Sequence, residues 1–274
     1  MALPPPRPES TALVTGASSG IGAEIARSLA RRGHGVTLVA RRRERLEELA
    51  RELAEQHGVR AEAIRADLTD PAERDRLAAE VEGRGLTVEV LVNNAGFGVY
   101  VPFAQSHRQR ELRQVRLLVE AVVDLSARYV PGMVERGQGA IVNVSSTSGF
   151  QPLPGNGTYA ACKAFVLSHT EALHVELRRH GVTATAVCPG PVDTEFQEVS
   201  ESLFDRLVPR SLWVPPEQVA EESLRAVDAG KRMVVPGGRA VRAAFAPGRL
   251  SPSAIALPVT RLLMLRELRR GRTG

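Results

Sequence analysis

The sequence predicts an α/β fold, a doubly wound parallel sheet of about seven strands flanked by helices, and two patterns carry that expectation. Short apolar, β-branched runs recur at residues 12–15, 36–40, 61–66, 88–92, 140–144, 183–188 and 233–235, each of strand length. Between them, Ile21, Ile25 and Leu29, then Leu46, Leu49 and Leu53, repeat at helical spacing with charge on the opposite face. Strands alternating with helices imply a parallel sheet covered on both sides.

A chain of 274 residues fits one large domain better than two, because α/β domains often run to about 250 residues. No repeat and no Gly/Ser-rich linker divides it. Residues 1–10 are proline-rich and are expected to form a flexible N-terminus, residues 11–236 the domain, and residues 237–274 a basic C-terminal extension. In that extension Leu262, Leu263, Leu265 and Leu268 lie among Arg261, Arg266, Arg269 and Arg270. A basic amphipathic helix of this kind can lie on an anionic membrane surface, and packing on its own or a neighbouring subunit is the favoured reading.

Composition narrows the functional classes. Apolar residues make up 43% and charged residues 24%, ordinary values for a water-soluble globular protein. The formal charge of +5 is scattered along the chain, and with aromatics at 4% no basic stripe interleaved with rings marks a nucleic-acid reader. Cys162 and Cys188 lie in separate segments without ligand-like spacing to histidine, so neither a disulfide framework nor a metal site is expected. The start lacks the apolar core of a secretion signal, and no run approaches the roughly 18 apolar residues of a spanning helix. The expectation is a cytoplasmic protein.

Directly after the first strand comes Thr15-Gly16-Ala17-Ser18-Ser19-Gly20-Ile21-Gly22, opening the first helical stripe. A tight strand-to-helix turn brings backbone amides and the positive end of a helix against a pyrophosphate, which side chains at the glycine positions would block. Gly16 serves the turn, and Gly20 and Gly22 permit close approach, which makes the expected fold Rossmann-type. At the end of the second strand stand Arg41, Arg42 and Arg43, with no acid before Glu44. An acid there would accept from a ribose 2′-hydroxyl, whereas arginine receives a 2′-phosphate. The cofactor is therefore expected to be NADP(H), with Arg41 as its leading contact.

With this turn, whose spacing is Gly-x-x-x-Gly-x-Gly, the chain resembles the short-chain dehydrogenase/reductase family over roughly residues 11–196. The resemblance implies that Asp67-Leu68 touches the adenine ring, although Asp67 could equally cap the helix begun near Pro71. It also implies that Asn94, Ala95 and Gly96, in the turn Asn93-Asn94-Ala95-Gly96, border the cofactor ribose. Pro189, Gly190, Val192 and Thr194, in Pro189-Gly190-Pro191-Val192-Asp193-Thr194, match the segment that in the family reaches the nicotinamide carboxamide.

Reduction of a carbonyl by hydride needs a proton donor beside the developing alkoxide and a group that tunes it. Tyr159 and Lys163 stand four apart on one helix face, where an ammonium can lower the phenol's pKa and hold ribose hydroxyls. Ser146, thirteen residues upstream at the end of the fifth strand, can bond the substrate oxygen. Only two of the 36 Lys and Arg residues are lysine, Lys163 and Lys231, so lysine at 163 is a choice against the chain's own bias. In the family, Ser, Tyr and Lys in this order are catalytic.

The family also places an asparagine on the helix after Asn-Asn-Ala-Gly, whose main-chain carbonyl orders a water in the proton relay. No asparagine lies between Gly96 and Asn143, and Gln114 occupies the apparent equivalent position. Cys162, where serine commonly precedes the lysine, reads as a packing change. Residues 195–216 form the expected lid and substrate wall, in which Phe196, Leu203, Phe204, Leu207, Leu212 and Trp213 suggest either an apolar pocket or a packed lid helix. The sequence thus points to a lipophilic ketone or acyl substrate, with an NADP(H)-binding regulatory or scaffold protein of weak catalysis as the alternative. Similar proteins commonly form homodimers or homotetramers.

Overall fold

The computed structural model describes residues 3–196, 208–250 and 257–258. Its seven strands are β1 (Ser10–Thr15), β2 (Val36–Ala40), β3 (Ala61–Arg65), β4 (Thr87–Asn93), β5 (Gly139–Val144), β6 (Val182–Val187) and β7 (Met233–Val234). They pair in the order β3-β2-β1-β4-β5-β6-β7, and every pairing is parallel. The helices are α1 (Gly20–Arg31), α2 (Arg43–His57), α3 (Pro71–Gly83), α4 (Arg108–Val115), α5 (Ala121–Arg136), α6 (Gly157–Arg178), α7 (Pro216–Asp228) and α8 (Gly238–Leu250). A π-helical segment, Arg116–Glu120, joins α4 to α5.

Strand alternation divides the core into two layers. Ala12 and Val14 of β1 face one side, where Ile25 and Leu29 of α1, Leu46 and Leu53 of α2, and Val219 and Leu224 of α7 bury against them. Leu13 faces the other, with Leu77 of α3, Leu125 and Met133 of α5 and Leu177 of α6. Successive side chains of a strand point to opposite faces, so a strand apolar at every position must be covered twice. The two sequence stripes are the undersides of α1 and α2.

The described parts of both expected ends are tied in. Leu3 packs against the α1 layer, Arg7 pairs with the buried carboxylate of Glu89, and Ser10 already belongs to β1. Residues 3–10 are thus an anchored strap where a flexible terminus was expected. After residue 237, α8 seats Val241 in the core with Phe245 beside it, and Arg249 donates to Glu171 at 2.8 Å. Residues 238–250 therefore complete the domain. The leucine and arginine pattern at 261–270 lies outside the described residues.

Of the two readings left open for Asp67, the helix cap is not the one formed, because Asp70 caps α3. Asp70 accepts from the amide of Ala72 at 2.9 Å, with Pro71 at the first helical position. Asp67 is left for the cleft described below.

One buried cation fastens α3 to the π-helical segment and to α5. The Arg74 side chain is 3% exposed and pairs with Glu120 and Asp124, while its Nη1 donates to the Leu68 carbonyl at 2.8 Å. Removing one member of a buried pair leaves charge without a partner, at about 3–5 kcal/mol when both ends are buried. Glu120 and Asp124 reach solvent, so Arg74→Met is expected to cost about 2 kcal/mol, measured by urea denaturation.

Candidate active site

In an open parallel sheet, ligands bind beyond the carboxyl ends of the strands where the strand order reverses. Here that point lies between β1 and β4. The Thr15 hydroxyl joins their ends, donating to the Val92 carbonyl at 3.0 Å and accepting from the amides of Asn94 at 2.9 Å and Ala95 at 3.1 Å. Asn94 Nδ2 returns a bond to the Thr15 carbonyl at 3.0 Å. The turn after β1 and the turn after β4 are thereby one rigid unit.

Glycine is required in that unit. Gly16 has φ +67°, and a Cβ there would sit 2.8 Å from Ala95 Cα and from Asn94 Nδ2. On Gly22 a Cβ would fall 2.5 Å from Asn94 Nδ2 and from the Gly16 carbonyl oxygen. The N-cap of α1 is Ser19, extended and making no side-chain cap bond, so the first amides of α1 suit an anion. A backbone cradle that side chains would fill fits the pyrophosphate of a dinucleotide.

The cleft above it has a volume of about 490 Å³ and runs from Ser18, Ser19, Arg41 and Arg42 at one end to Ser146, Tyr159 and Lys163 at the other. Asp67, Leu68, Asn94, Ala95 and Gly96 line its middle, and Pro189, Gly190, Val192 and Thr194 its far wall, together with Gly16, Gly20 and Ile21 of the turn. Gly22 stands behind the lining, where its role is packing.

Arg41, the expected leading contact, lines the phosphate end of the cleft, and the residue that closes on the turn is its neighbour Arg42. Its Nη2 donates to Ser18 Oγ at 3.0 Å and Ser19 Oγ at 2.7 Å, and its Nη1 donates to Glu195 at 2.7 Å. Arg41 lines the cleft nearer Asp67. Burial raises the Asp67 pKa, but bonds from the Thr69 hydroxyl and amide, with the charges of Arg113 and Arg41, outweigh it and hold the carboxyl below its usual range. An ionised Asp67 is a hydrogen-bond acceptor facing the cleft.

The reacting end is built on β5 and α6. Ser146 follows β5 and accepts from the Ser148 amide at 3.1 Å, which fixes its hydroxyl at the head of a short 3₁₀ turn. Tyr159 and Lys163 are buried on the first turns of α6. The Ser145 hydroxyl donates to the Lys163 carbonyl at 2.6 Å, pinning α6 to the strand end. Lys163 Nζ donates to the Val144 carbonyl at 2.7 Å and lies 5.7 Å from the centre of the Tyr159 ring. Burial pulls the Lys163 ammonium down to about 8, near working pH. Tyr100 and Phe196 flank the Tyr159 ring, with centroids at 6.1 and 5.9 Å.

Gln114 does not join this group. It is wholly buried, its amide atoms have no hydrogen-bond partner among the described residues, and it is not part of the cleft wall. Leu118, one turn further and inside the π-helical segment, packs on Tyr159 and Cys162 and borders Gly96 alongside Lys163 Nζ. The π turn adds a residue to the helix and shifts its phase, so spacing counted from the Asn-Asn-Ala-Gly turn misplaces the residue that meets the lysine. Cys162 is buried, and burial pushes its thiol up to about 11, in keeping with a packing role.

Other contributors carried no local signal. Asn93 Nδ2 donates to Asn143 Oδ1 at 2.9 Å, and Asn143 Nδ2 to Thr170 Oγ1 at 2.9 Å, a buried chain that ties β4, β5 and α6 below the site. Phe196, Leu212 and Trp213 of the expected lid segment are described, with Leu212 against the core and Phe196 on Tyr159. Leu203, Phe204 and Leu207 lie outside the described residues.

A glycine cradle at the switch point of a parallel sheet, opposite a serine, a tyrosine and a lysine in one cleft, defines an oxidoreductase that works with a nicotinamide dinucleotide. The chain belongs to the short-chain dehydrogenase family: the model described as short chain dehydrogenase matches residues 10–202. It is 40% identical over 227 residues to a putative ketoacyl reductase of Streptomyces coelicolor, covering 77% of this chain and 87% of that protein. It is 35% identical over 205 residues to the very-long-chain 3-oxoacyl-CoA reductase of Anas platyrhynchos, covering 73% of this chain but only 65% of that longer protein. Among solved structures, a short-chain dehydrogenase from Sphingobium yanoikuyae in complex with NADPH superposes with a TM-score of 0.77 at 36% identity, covering 87% of this chain and 92% of that one. A bulky-bulky ketone specific alcohol dehydrogenase from Comamonas testosteroni gives a TM-score of 0.72 at 30% identity, covering 95% and 92%.

Proposed function

We propose that the protein is an NADP(H)-dependent oxidoreductase that interconverts a lipophilic carbonyl compound and its alcohol. The observation that carries this reading is the one cleft with a guanidinium and two serine hydroxyls at its phosphate end and Ser146, Tyr159 and Lys163 at its other. The relatives named as ketoacyl and 3-oxoacyl reductases and the NADPH-bound neighbour support it.

When bound, NADPH supplies hydride to the carbonyl carbon. The chain's own residues do the rest. Gly16, Gly20 and the first turn of α1 receive the pyrophosphate, and Arg42 with Ser18 and Ser19 receives the 2′-phosphate through charge-assisted bonds. Ser146 Oγ donates to the substrate oxygen, Tyr159 delivers the proton to it, and Lys163 steadies the phenolate that remains. The apolar wall of Tyr100, Phe97 and Phe196 excludes water and favours an apolar substituent on the carbonyl. Leu118 at the lysine's flank removes no relay carbonyl, because a main-chain oxygen does not depend on its side chain.

Titration with NADPH and NADH by nicotinamide fluorescence, followed by a panel of lipophilic ketones, aldehydes and acyl thioesters, tests this reading. NADPH is expected to bind at least about tenfold tighter, the worth of one charge-assisted contact, and a carbonyl of the panel to be consumed. Equal binding of the two nucleotides would overturn the cofactor assignment. Binding without turnover across the panel would favour a nucleotide-binding regulatory protein.

A further inference from the structure

The phosphate end of the cleft already contains an anion of the chain's own. Glu195 immediately follows Thr194, which meets the Gly20 position of the turn, and its Oε2 accepts from Arg42 Nη1 at 2.7 Å. Its other oxygen accepts from Arg45 Nη1 on α2. Arg42, Ser18, Ser19 and Glu195 all line the cleft, so the carboxylate and an incoming 2′-phosphate address the same guanidinium. Arg45 and Arg42 together hold the Glu195 carboxyl down to about 2, so it stays charged at any working pH and leaves Arg42 only by being outcompeted.

We propose that Glu195 is a specificity-determining residue that stands in for the cofactor's 2′-phosphate on Arg42 and so moderates the preference for NADPH over NADH. The inference rests on the NADP(H) reading above. Arg42 does not need Glu195 to hold its place, because Ser18 and Ser19 accept from its Nη2 independently. Glu195 in turn is not stranded when Arg42 turns to the phosphate, because Arg45 keeps its other oxygen. A phosphate monoester bears nearly two negative charges at pH 7 and forks well onto a guanidinium, so it displaces a single exposed carboxylate. The displacement and the residual repulsion fall on NADPH alone, since a 2′-hydroxyl leaves the Arg42–Glu195 pair intact.

Calorimetric titration of the wild type and Glu195→Gln with 2′,5′-ADP and with 5′-AMP tests this without involving the nicotinamide end. An exposed ion pair is worth up to about 1 kcal/mol, roughly a fivefold change in affinity. The variant is therefore expected to bind 2′,5′-ADP about three- to fivefold tighter, with 5′-AMP unchanged within about twofold. A preorganising role for Glu195 would move 2′,5′-ADP the opposite way, and a merely structural role would move both probes together. Either outcome, or an unchanged ratio in a protein that prefers 2′,5′-ADP, overturns the inference alone. A wild type that fails to distinguish the two probes overturns the NADP(H) reading and this inference with it.

Discussion

Tyr159→Phe is expected to lower kcat about 10²–10⁴-fold, the usual contribution of a positioned general acid, while NADPH affinity stays within about threefold. The ring is retained between Tyr100 and Phe196, and Phe fills the same volume, so packing is conserved. What disappears is the phenol beside Lys163, the group proposed to deliver the proton to the substrate oxygen. Stopped-flow absorbance with the best carbonyl of the panel gives kcat, and fluorescence titration gives the nucleotide affinity. A variant that keeps more than a tenth of wild-type turnover would remove Tyr159 from the proton step, and one that loses nucleotide affinity equally would assign it to binding.

Gly22→Ala is expected to abolish measurable NADPH binding and to destabilise the fold by about 1–3 kcal/mol, the cost of overpacking a filled site. The added methyl would lie 2.5 Å from the Gly16 carbonyl oxygen and from Asn94 Nδ2, and the first of these is backbone. Relief requires the turn after β1 to move away from the turn after β4, which opens the cradle at its base. Urea denaturation with and without NADPH separates the two effects, because the wild type is expected to gain stability from the nucleotide by mass action and the variant to gain none. A normal ligand-induced shift in Gly22→Ala would show that Asn94 can swing aside and that the cradle is softer than its geometry.

The seven strands were legible because a strand buried on both faces must be apolar at consecutive positions, and their observed ends lie within one or two residues of the β-branched runs. The cleft lining was legible for a related reason: turns at strand ends are local, and Gly16, Ser18, Ser19, Gly20 and Ile21, residues 94–96, and Pro189, Gly190, Val192 and Thr194 all line the cleft. What spacing could not carry is what depends on helix phase or on distance across the chain. The π-helical segment places Leu118 where Gln114 was expected. Arg42 rather than Arg41 meets the glycine turn because the chain bends into α2 there, and Arg42 is its N-cap. Glu195 reaches Arg42 across 153 positions, and no pattern near either residue announces the meeting. The strap at residues 3–10 was hidden for the same reason, since the partner of Arg7 is a carboxylate far along on β4.

The Thr15 hydroxyl closes a contact across 77 residues, and this makes nucleotide affinity a clock for folding. The pairing of β1 with β2 and of β2 with β3 joins neighbouring segments, whereas pairing β1 with β4 closes a long loop and belongs to the slow, non-local part of the search. A chain halted before β4 has its glycine turn but lacks the Asn94 and Ala95 amides that lock it. In a refolding experiment, the appearance of a dinucleotide-binding cleft therefore reports the moment at which the two halves of the sheet become one.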